Sequence, residues 1–310
     1  MRKYLLNTLL FSSICIVLAF GFDMFLSARL RTNKNRIYAN WNQIYNASLD
    51  YDLVINGNSR AWVQYDPFII DSLLHINCYN LGIDGSPINR QIIKYQKYCN
   101  LHKAPKYLIQ NIDFCTMDIR YGYEREQFFP YFFYDRKLIL AFDKYENFSI
   151  LEKYLPCYRY LGYEDFTLES FFNNNNQYGD ELVAGYHAFD KDWDGTNLVN
   201  LDSIECACDT NMINMFDGFL EREVNKGVKI IFVYAPIYFE ARQKMVNEKQ
   251  MFEMYDSIAR KFDIPILDYN DMPMCYDTTY FYNATHLNRI GAELFTTKLA
   301  YDIDSLGLLK

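Results

Sequence analysis

Two short stretches, far apart in the chain, carry residue types suited to acyl transfer. Asn56-Gly57-Asn58-Ser59-Arg60 puts a hydroxyl on a tight turn after an apolar run, and Asn283-Ala-Thr-His286-Leu-Asn-Arg-Ile-Gly291 supplies an imidazole at the mouth of a helix. A serine hydroxyl is a weak nucleophile until a neighbouring base takes its proton, and histidine can do so at neutral pH. Taken alone, Ser59 reads as a helix N-cap, where serine is common for purely structural reasons. Its place after a buried strand and a glycine turn gives it a second reading, because such a turn exposes a nucleophile beside backbone N–H groups. One residue departs from the pattern. Three positions before His286, where a carboxylate is expected to orient the imidazole, the chain has Asn283.

An alternation of strand and helix signals must position these groups. Short, β-branched, nearly continuous apolar runs at 53–56, 78–82, 107–113, 228–235 and 264–268 predict five strands. Helices are predicted between them: 59–74, 87–100 with Pro87 in its first turn, 212–226, 238–262 and 288–302. The 238–262 helix rests on apolar residues at 238, 241, 245, 252, 255, 259 and 262, the spacing of one helical face. Strands of this kind belong to a parallel sheet covered on both faces, a three-layer α/β sandwich. Active sites in such folds lie beyond the C-terminal ends of the strands, where Ser59, Gly82 and Asn111 fall.

The stretch 114–203 lacks this regularity and reads as an insertion covering the site. It holds aromatic clusters, the asparagine run 173–176 and His187, a candidate for contact with substrate. Asp190-x-Asp192-x-Asp194-Gly195 resembles the start of a calcium loop, but its twelfth position is Leu201 rather than glutamate, so an Asp-rich turn is the better reading and no metal is expected. Arg60 is a candidate for an anionic substrate group, or equally for a neighbouring carboxylate. His75 and His102 follow helical patterns, where a histidine complements the helix dipole.

The assembled motifs resemble those of the SGNH/GDSL hydrolase superfamily. Gly57-Asn-Ser59-Arg is similar to its first block, Asn80-Leu-Gly82 to the second, Gln110-Asn111-Ile-Asp113 to the third and Asn283-Ala-Thr-His286-Leu-Asn to the fifth. The resemblance covers most of the chain beyond residue 51. It implies a flavodoxin-like SGNH hydrolase fold with Ser59 as nucleophile and His286 as general base. It further implies an oxyanion hole from the Ser59 and Gly82 N–H groups and the Asn111 amide, each good donor contributing about 3–4 kcal/mol. The wording of the blocks looks most like membrane-tethered members, such as D-alanine transfer proteins and alginate-type O-acetyltransferases. That resemblance implies an acylated carbohydrate or envelope polymer as substrate, a membrane acyl-donor protein as partner, and no cofactor. Asn283 leaves open whether another acid such as Asp277 serves, whether a Ser–His dyad suffices, or whether the chain is a weakened or binding-only descendant. A neutral amide fixes an imidazole's orientation without stabilising its charged form, and can leave it in the wrong tautomer.

Arg2 and Lys3 precede an apolar run over residues 5–26, long enough to cross a bilayer core. Ala19-Phe-Gly21 resembles a signal-peptide cleavage site, while the length suits a retained anchor, which is the favoured reading for residues 1–30. Ile14 before Cys15 argues against a lipoprotein. Residues 31–50 read as a juxtamembrane connector and 51–310 as the hydrolase-like domain. Arg29, Arg31, Lys34 and Arg36 favour a cytoplasmic domain by strict positive-inside counting, but large domains translocate despite such a bias, and export is expected. The formal charge of −8, without a basic stripe, argues against a nucleic-acid partner. Eight cysteines form no tight framework; one or two disulfides suit an oxidising compartment, and their pairing cannot be read from spacing. Cys206-Ala-Cys208 lacks the second ligand pair that a zinc site needs.

Overall fold

The computed structural model describes residues 1–34, 36–121, 125–161, 184–196, 198 and 202–309. The helices are α1 (Arg2–Leu30), α2 (Arg36–Asn46), α3 (Ser59–Gln64), α4 (Pro67–Leu74), α5 (Ile88–Leu101), α6 (Arg136–Glu146), α7 (Ile150–Tyr154), α8 (Thr210–Asn225), α9 (Phe239–Arg242), α10 (Glu248–Phe262) and α11 (Arg289–Ser305). The strands are β1 (Leu53–Asn56), β2 (Cys78–Asn80), β3 (Tyr107–Asn111), β4 (Lys229–Tyr234), β5 (Ile266–Asp268), β6 (Phe281–Asn283) and β7 (His286–Leu287). They fall into two compact units. One comprises residues within 1–46 and 124–179, the other residues within 47–123 and 180–310.

The larger unit is the expected α/β sandwich. Strands β1 to β5 form a parallel sheet in the order β2-β1-β3-β4-β5, the doubly wound flavodoxin-like order. Leu53, Val54, Ile55, Leu108 and Ile109 are fully buried, as strands covered on both faces require. On one face, Phe216 of α8 and Tyr255 of α10 both pack on Phe232 of β4, and Tyr95 of α5 joins Phe219. On the other, Phe295 of α11 meets Tyr65 and Tyr269 edge-on. The chain leaves β1 for β2 on one side and returns to β3 on the other, so the crevice beyond β1 and β3 is the topological switch point.

Two helices predicted as continuous are broken, each for a local reason. The 59–74 helix divides because Pro67 disfavours helical backbone at Asp66; Asp66 is extended and caps α4 by accepting the Phe68 N–H at 2.9 Å. The 238–262 helix divides because the backbone at 244–246 pairs instead with Ile204, whose N–H donates to Lys244 at 2.8 Å while Val246 donates back at 2.9 Å. A further element has no alternation signal of its own. The antiparallel hairpin β6–β7 carries Asn283 and His286 opposite one another.

The smaller unit contains α1, α2, α6 and α7. Trp41 of α2 packs edge-on against Phe128 and Phe142 and donates its indole N–H to Gln127 at 2.8 Å. Within α1, only Asp23, Leu26, Ser27 and Leu30 are buried. The helix is long and apolar enough to cross a membrane. The expected connector therefore carries α2, and the expected insertion carries α6 and α7. The asparagine run at 173–176 and Leu201 lie outside the described residues.

Candidate active site

Ser59 stands at the start of α3, two residues beyond the turn glycine that follows β1. Gly57 is needed there for close approach: a Cβ on it would lie 2.5 Å from the Ala61 Cβ and 2.7 Å from that of Asn111. The N-cap is Asn58 rather than Ser59. Its Oδ1 accepts the Arg60 N–H at 3.1 Å, which leaves the serine hydroxyl uninvolved in capping. That hydroxyl lies 2.8 Å from His286 Nε2 across 227 residues of sequence.

His286 is held from its other nitrogen. Asn283 Oδ1 lies 3.0 Å from His286 Nδ1, and the same oxygen accepts the backbone N–H groups of Thr285 and His286, both at 3.0 Å. Only an oxygen can accept those two backbone donors, so the amide is fixed with its oxygen toward the ring. Nδ1 must then carry the hydrogen, and Nε2 presents its lone pair to Ser59. Thr285 Oγ1, 3.0 Å from Nδ1 and 3.3 Å from Asn283 Oδ1, is consistent with the same tautomer. Tyr282 stacks on the imidazole with ring centroids 5.4 Å apart, and Phe189 stacks on Tyr282 in turn. The wrong-tautomer outcome that Asn283 raised from sequence is thus not what forms. Nor does Asp277 occupy the acid position: its Oδ1 accepts the Thr279 N–H at 3.0 Å and the Thr279 hydroxyl at 2.8 Å.

What the amide does not supply is charge. Burial pushes His286 down to about 4, against an upward pull from Asp84 and Asp113, with Arg60 acting in the same direction as burial. The imidazole is consequently neutral at pH 7 and able to accept a proton.

Ser59 and His286 open on a cavity of about 310 Å³. Its polar wall includes Asn58, Arg60, Asp84, Gly85 and Asp113, and its apolar wall Phe114, Ile204, Ile237 and Met245. The wall is tied across by a disulfide between Cys115, which lines the cavity, and Cys206.

Three residues chosen from sequence sit elsewhere. The Gly82 N–H donates to Asn80 Oδ1 at 2.8 Å, and Gly82 is glycine because a Cβ would lie 2.3 Å from the Trp62 backbone nitrogen. It shapes the turn instead of lining the cavity. The buried Asn111 amide accepts the Tyr65 hydroxyl at 2.7 Å and donates to Asn58 Oδ1 at 3.3 Å, one layer behind the wall. His187 is buried, with its ring stacked on Trp62 at 4.9 Å and edge-on to Phe189 at 4.5 Å, so it packs behind α3. Arg60 does line the cavity, but its charge is met within the protein. Nε donates to Asp113 Oδ2 at 2.6 Å and Nη1 to the Ala235 carbonyl at 3.2 Å. Burial opposes the guanidinium's charge, yet Asp113 raises its pKa above the ordinary value.

The residues sequence reasoning missed were close at hand. Asp113 lies in the quoted Gln110–Asp113 stretch, two positions beyond the residue chosen. Gly85, with φ of +52°, lies three beyond Gly82, and Asp84 precedes it. Lys94 carried no signal: it is fully buried on α5, where burial lowers its pKa, and it donates to the Leu81 and Gly82 carbonyls at 2.9 and 3.3 Å. It braces the loop that bears Asp84 and Gly85. In the Asp-rich turn, Asp190 pairs with Arg289 and Asp194 Oδ1 accepts the Thr196 hydroxyl at 2.6 Å.

No family model matches the chain, and no curated protein matches it. Among solved structures, it is similar to a Bacteroides fragilis protein provisionally assigned as an acylhydrolase, 12% identical over 84% of this chain and 93% of the other, with a TM-score of 0.41. A GDSL-like lipase from Bacteroides thetaiotaomicron is 12% identical over 81% of this chain and 87% of its own, with a TM-score of 0.38. A Desulfitobacterium hafniense protein provisionally placed among lipolytic proteins of the G-D-S-L family is 11% identical over 80% and 97%, with a TM-score of 0.41. Likeness at this level carries no argument about activity, which rests on the geometry of Ser59, His286 and Asn283.

Proposed function

We infer that the protein is a serine esterase or O-acyltransferase acting on ester-linked acyl groups. One observation carries the reading: Ser59 Oγ lies 2.8 Å from the Nε2 of a neutral His286 whose Nδ1 is anchored on Asn283 Oδ1. His286 takes the Ser59 proton as Oγ attacks the ester carbonyl. The carbonyl oxygen gains the negative charge of a tetrahedral intermediate, near the Ser59 N–H that the first turn of α3 leaves without a helical partner. His286 then returns the proton to the departing alkoxide, and the acyl-serine is resolved by water or by an acceptor hydroxyl. The cavity volume suits a short acyl group against Ile204, Ile237 and Met245.

The reading extends to a membrane-anchored, extracytoplasmic enzyme whose substrate is a cell-surface carbohydrate or envelope polymer, with a membrane acyl-donor protein as partner if transfer rather than hydrolysis is its task. The apolar helix α1 and the Cys115–Cys206 disulfide, a bond that persists in oxidising compartments, support this location. The neutral Asn283 favours a second reading, a weakened descendant that binds acylated polymer without turning it over. Hydrolysis of an activated acetyl ester by the full-length protein in detergent separates the two. Turnover that is lost in Ser59→Ala supports the enzyme; equal rates in both proteins leave the binding role.

A further inference from the structure

The smaller unit exposes apolar side chains where a water-soluble surface would carry charge, and they continue the surface of α1. Phe20 of α1 meets the Phe133 ring with centroids 5.8 Å apart. The Cys157 N–H donates to Asp23 of α1 at 2.6 Å. Asp23 is itself buried against Arg159, and Ser27 meets the Tyr160 hydroxyl at 2.8 Å. Phe133 and residues 157–160 therefore pack along α1 from Phe20 to Ser27. What remains of the helix, residues 2–19, spans about 27 Å at 1.5 Å per residue, close to the thickness of a bilayer core. With that span in a bilayer, Phe133 and Cys157 would sit at the level where α1 leaves it.

Helix α7 is built inside out for water. None of its side chains is buried. Its charged residues turn toward the protein: Glu152 is 13% exposed and pairs with Arg125 at 3.1 Å, while Lys153 is 27% exposed and pairs with Asp143 at 2.7 Å. Its apolar residues turn outward, Ile150 at 74% and Tyr154 at 63%, followed by Leu155 at 47% and Leu161 at 68%. In a water-facing helix the polar side chains lie outside. A five-residue helix with no buried side chain lacks the tertiary packing that normally stabilises so short an element.

We propose that α7 and its flanks form a membrane-contacting collar around the base of α1, seated in the interface of the lipid bilayer. The occupant is lipid because the patch is continuous with the exposed flank of a bilayer-spanning helix, and because its tyrosines suit the headgroup boundary. The collar rests on reading α1 as a retained membrane span. Two anchoring elements in place of one would restrict the tilt of the smaller unit against the bilayer.

The test is carbene labelling of the full-length protein in phosphatidylethanolamine–phosphatidylglycerol liposomes that contain a diazirine-bearing phospholipid, with adducts mapped by peptide mass spectrometry. Adducts are expected on peptides of α1 and of 150–155, over the background set by the buried strand β4. Ile150→Glu with Leu155→Glu is expected to abolish the second set and leave the first. Adducts on α1 alone would overturn the collar while leaving the anchor intact. Adducts on neither, with the chain released from the liposomes, would overturn both.

Discussion

Asn283 Oδ1 approaches His286 Nδ1 to 3.0 Å while accepting two backbone N–H groups from the same hairpin. The hairpin thereby gives a neutral side chain the geometry of an orienting carboxylate without its charge. This separates two roles that an acid combines, setting the tautomer and stabilising the imidazolium.

Restoring the charge should raise activity. In Asn283→Asp the backbone donors still fix the side chain, and the carboxylate favours protonated His286. On the scale by which an acid-to-amide change depresses a catalytic triad, kcat should rise on the order of tenfold or more. Steady-state kinetics of the two proteins on one activated ester checks this; equal values would place the effective acid elsewhere.

The pH profile of the native protein should be displaced toward acid. His286 titrates at about 4 in place of 6.5, so the acid limb of kcat/KM should lie near 4 and move up in Asn283→Asp. The same displacement bears on stability. Between pH 6.5 and 4 the unfolded chain binds a proton at this site that the folded chain does not, so stability should fall as pH falls through that window. Denaturant midpoints of native and His286→Gln protein compared across that range isolate the contribution.

Asp84 supplies the largest upward pull on His286 from a charged group, across the cavity rather than along the hairpin. In Asp84→Asn the acid limb should move lower still and kcat should decline. A reduced kcat with an unmoved limb would assign Asp84 to substrate contact instead.

The Arg60–Asp113 pair is almost fully buried, with side chains 3% and 11% exposed. Removing one partner leaves a buried charge, which costs about 3–5 kcal/mol. Asp113→Ala should destabilise by that order in denaturant titration, and more than the double variant Arg60→Met with Asp113→Leu does.

Much of this was legible in the sequence. The five strands of the sheet were readable because their centres are buried and so are written mostly in apolar residues, as in Leu53-Val-Ile of β1 and Ile230 to Tyr234 of β4. Ser59 and His286 were readable because each lies at the end of a strong local signal, a strand with its glycine turn or a capped helix. The breaks at Asp66 and at 244–246 were less so: the first is a proline effect inside an apolar pattern, the second depends on Ile204, some forty residues away in sequence. Which of Gly82 or Gly85, and which of Asn111 or Asp113, reaches the cavity depends on how far each strand runs before it turns, a matter of one or two residues that apolar runs do not specify. The inverted polarity of α7 was invisible for another reason: a helical pattern does not say which of its faces meets solvent.

The chemistry turns on Ser59 acting as a nucleophile activated by His286. Incubation with a serine-directed fluorophosphonate, followed by peptide mass mapping, tests it most directly. A single adduct on Ser59 is expected, lost in Ser59→Ala and formed much more slowly in His286→Gln. An unlabelled Ser59 in folded protein, or labelling that is indifferent to His286, would contradict it.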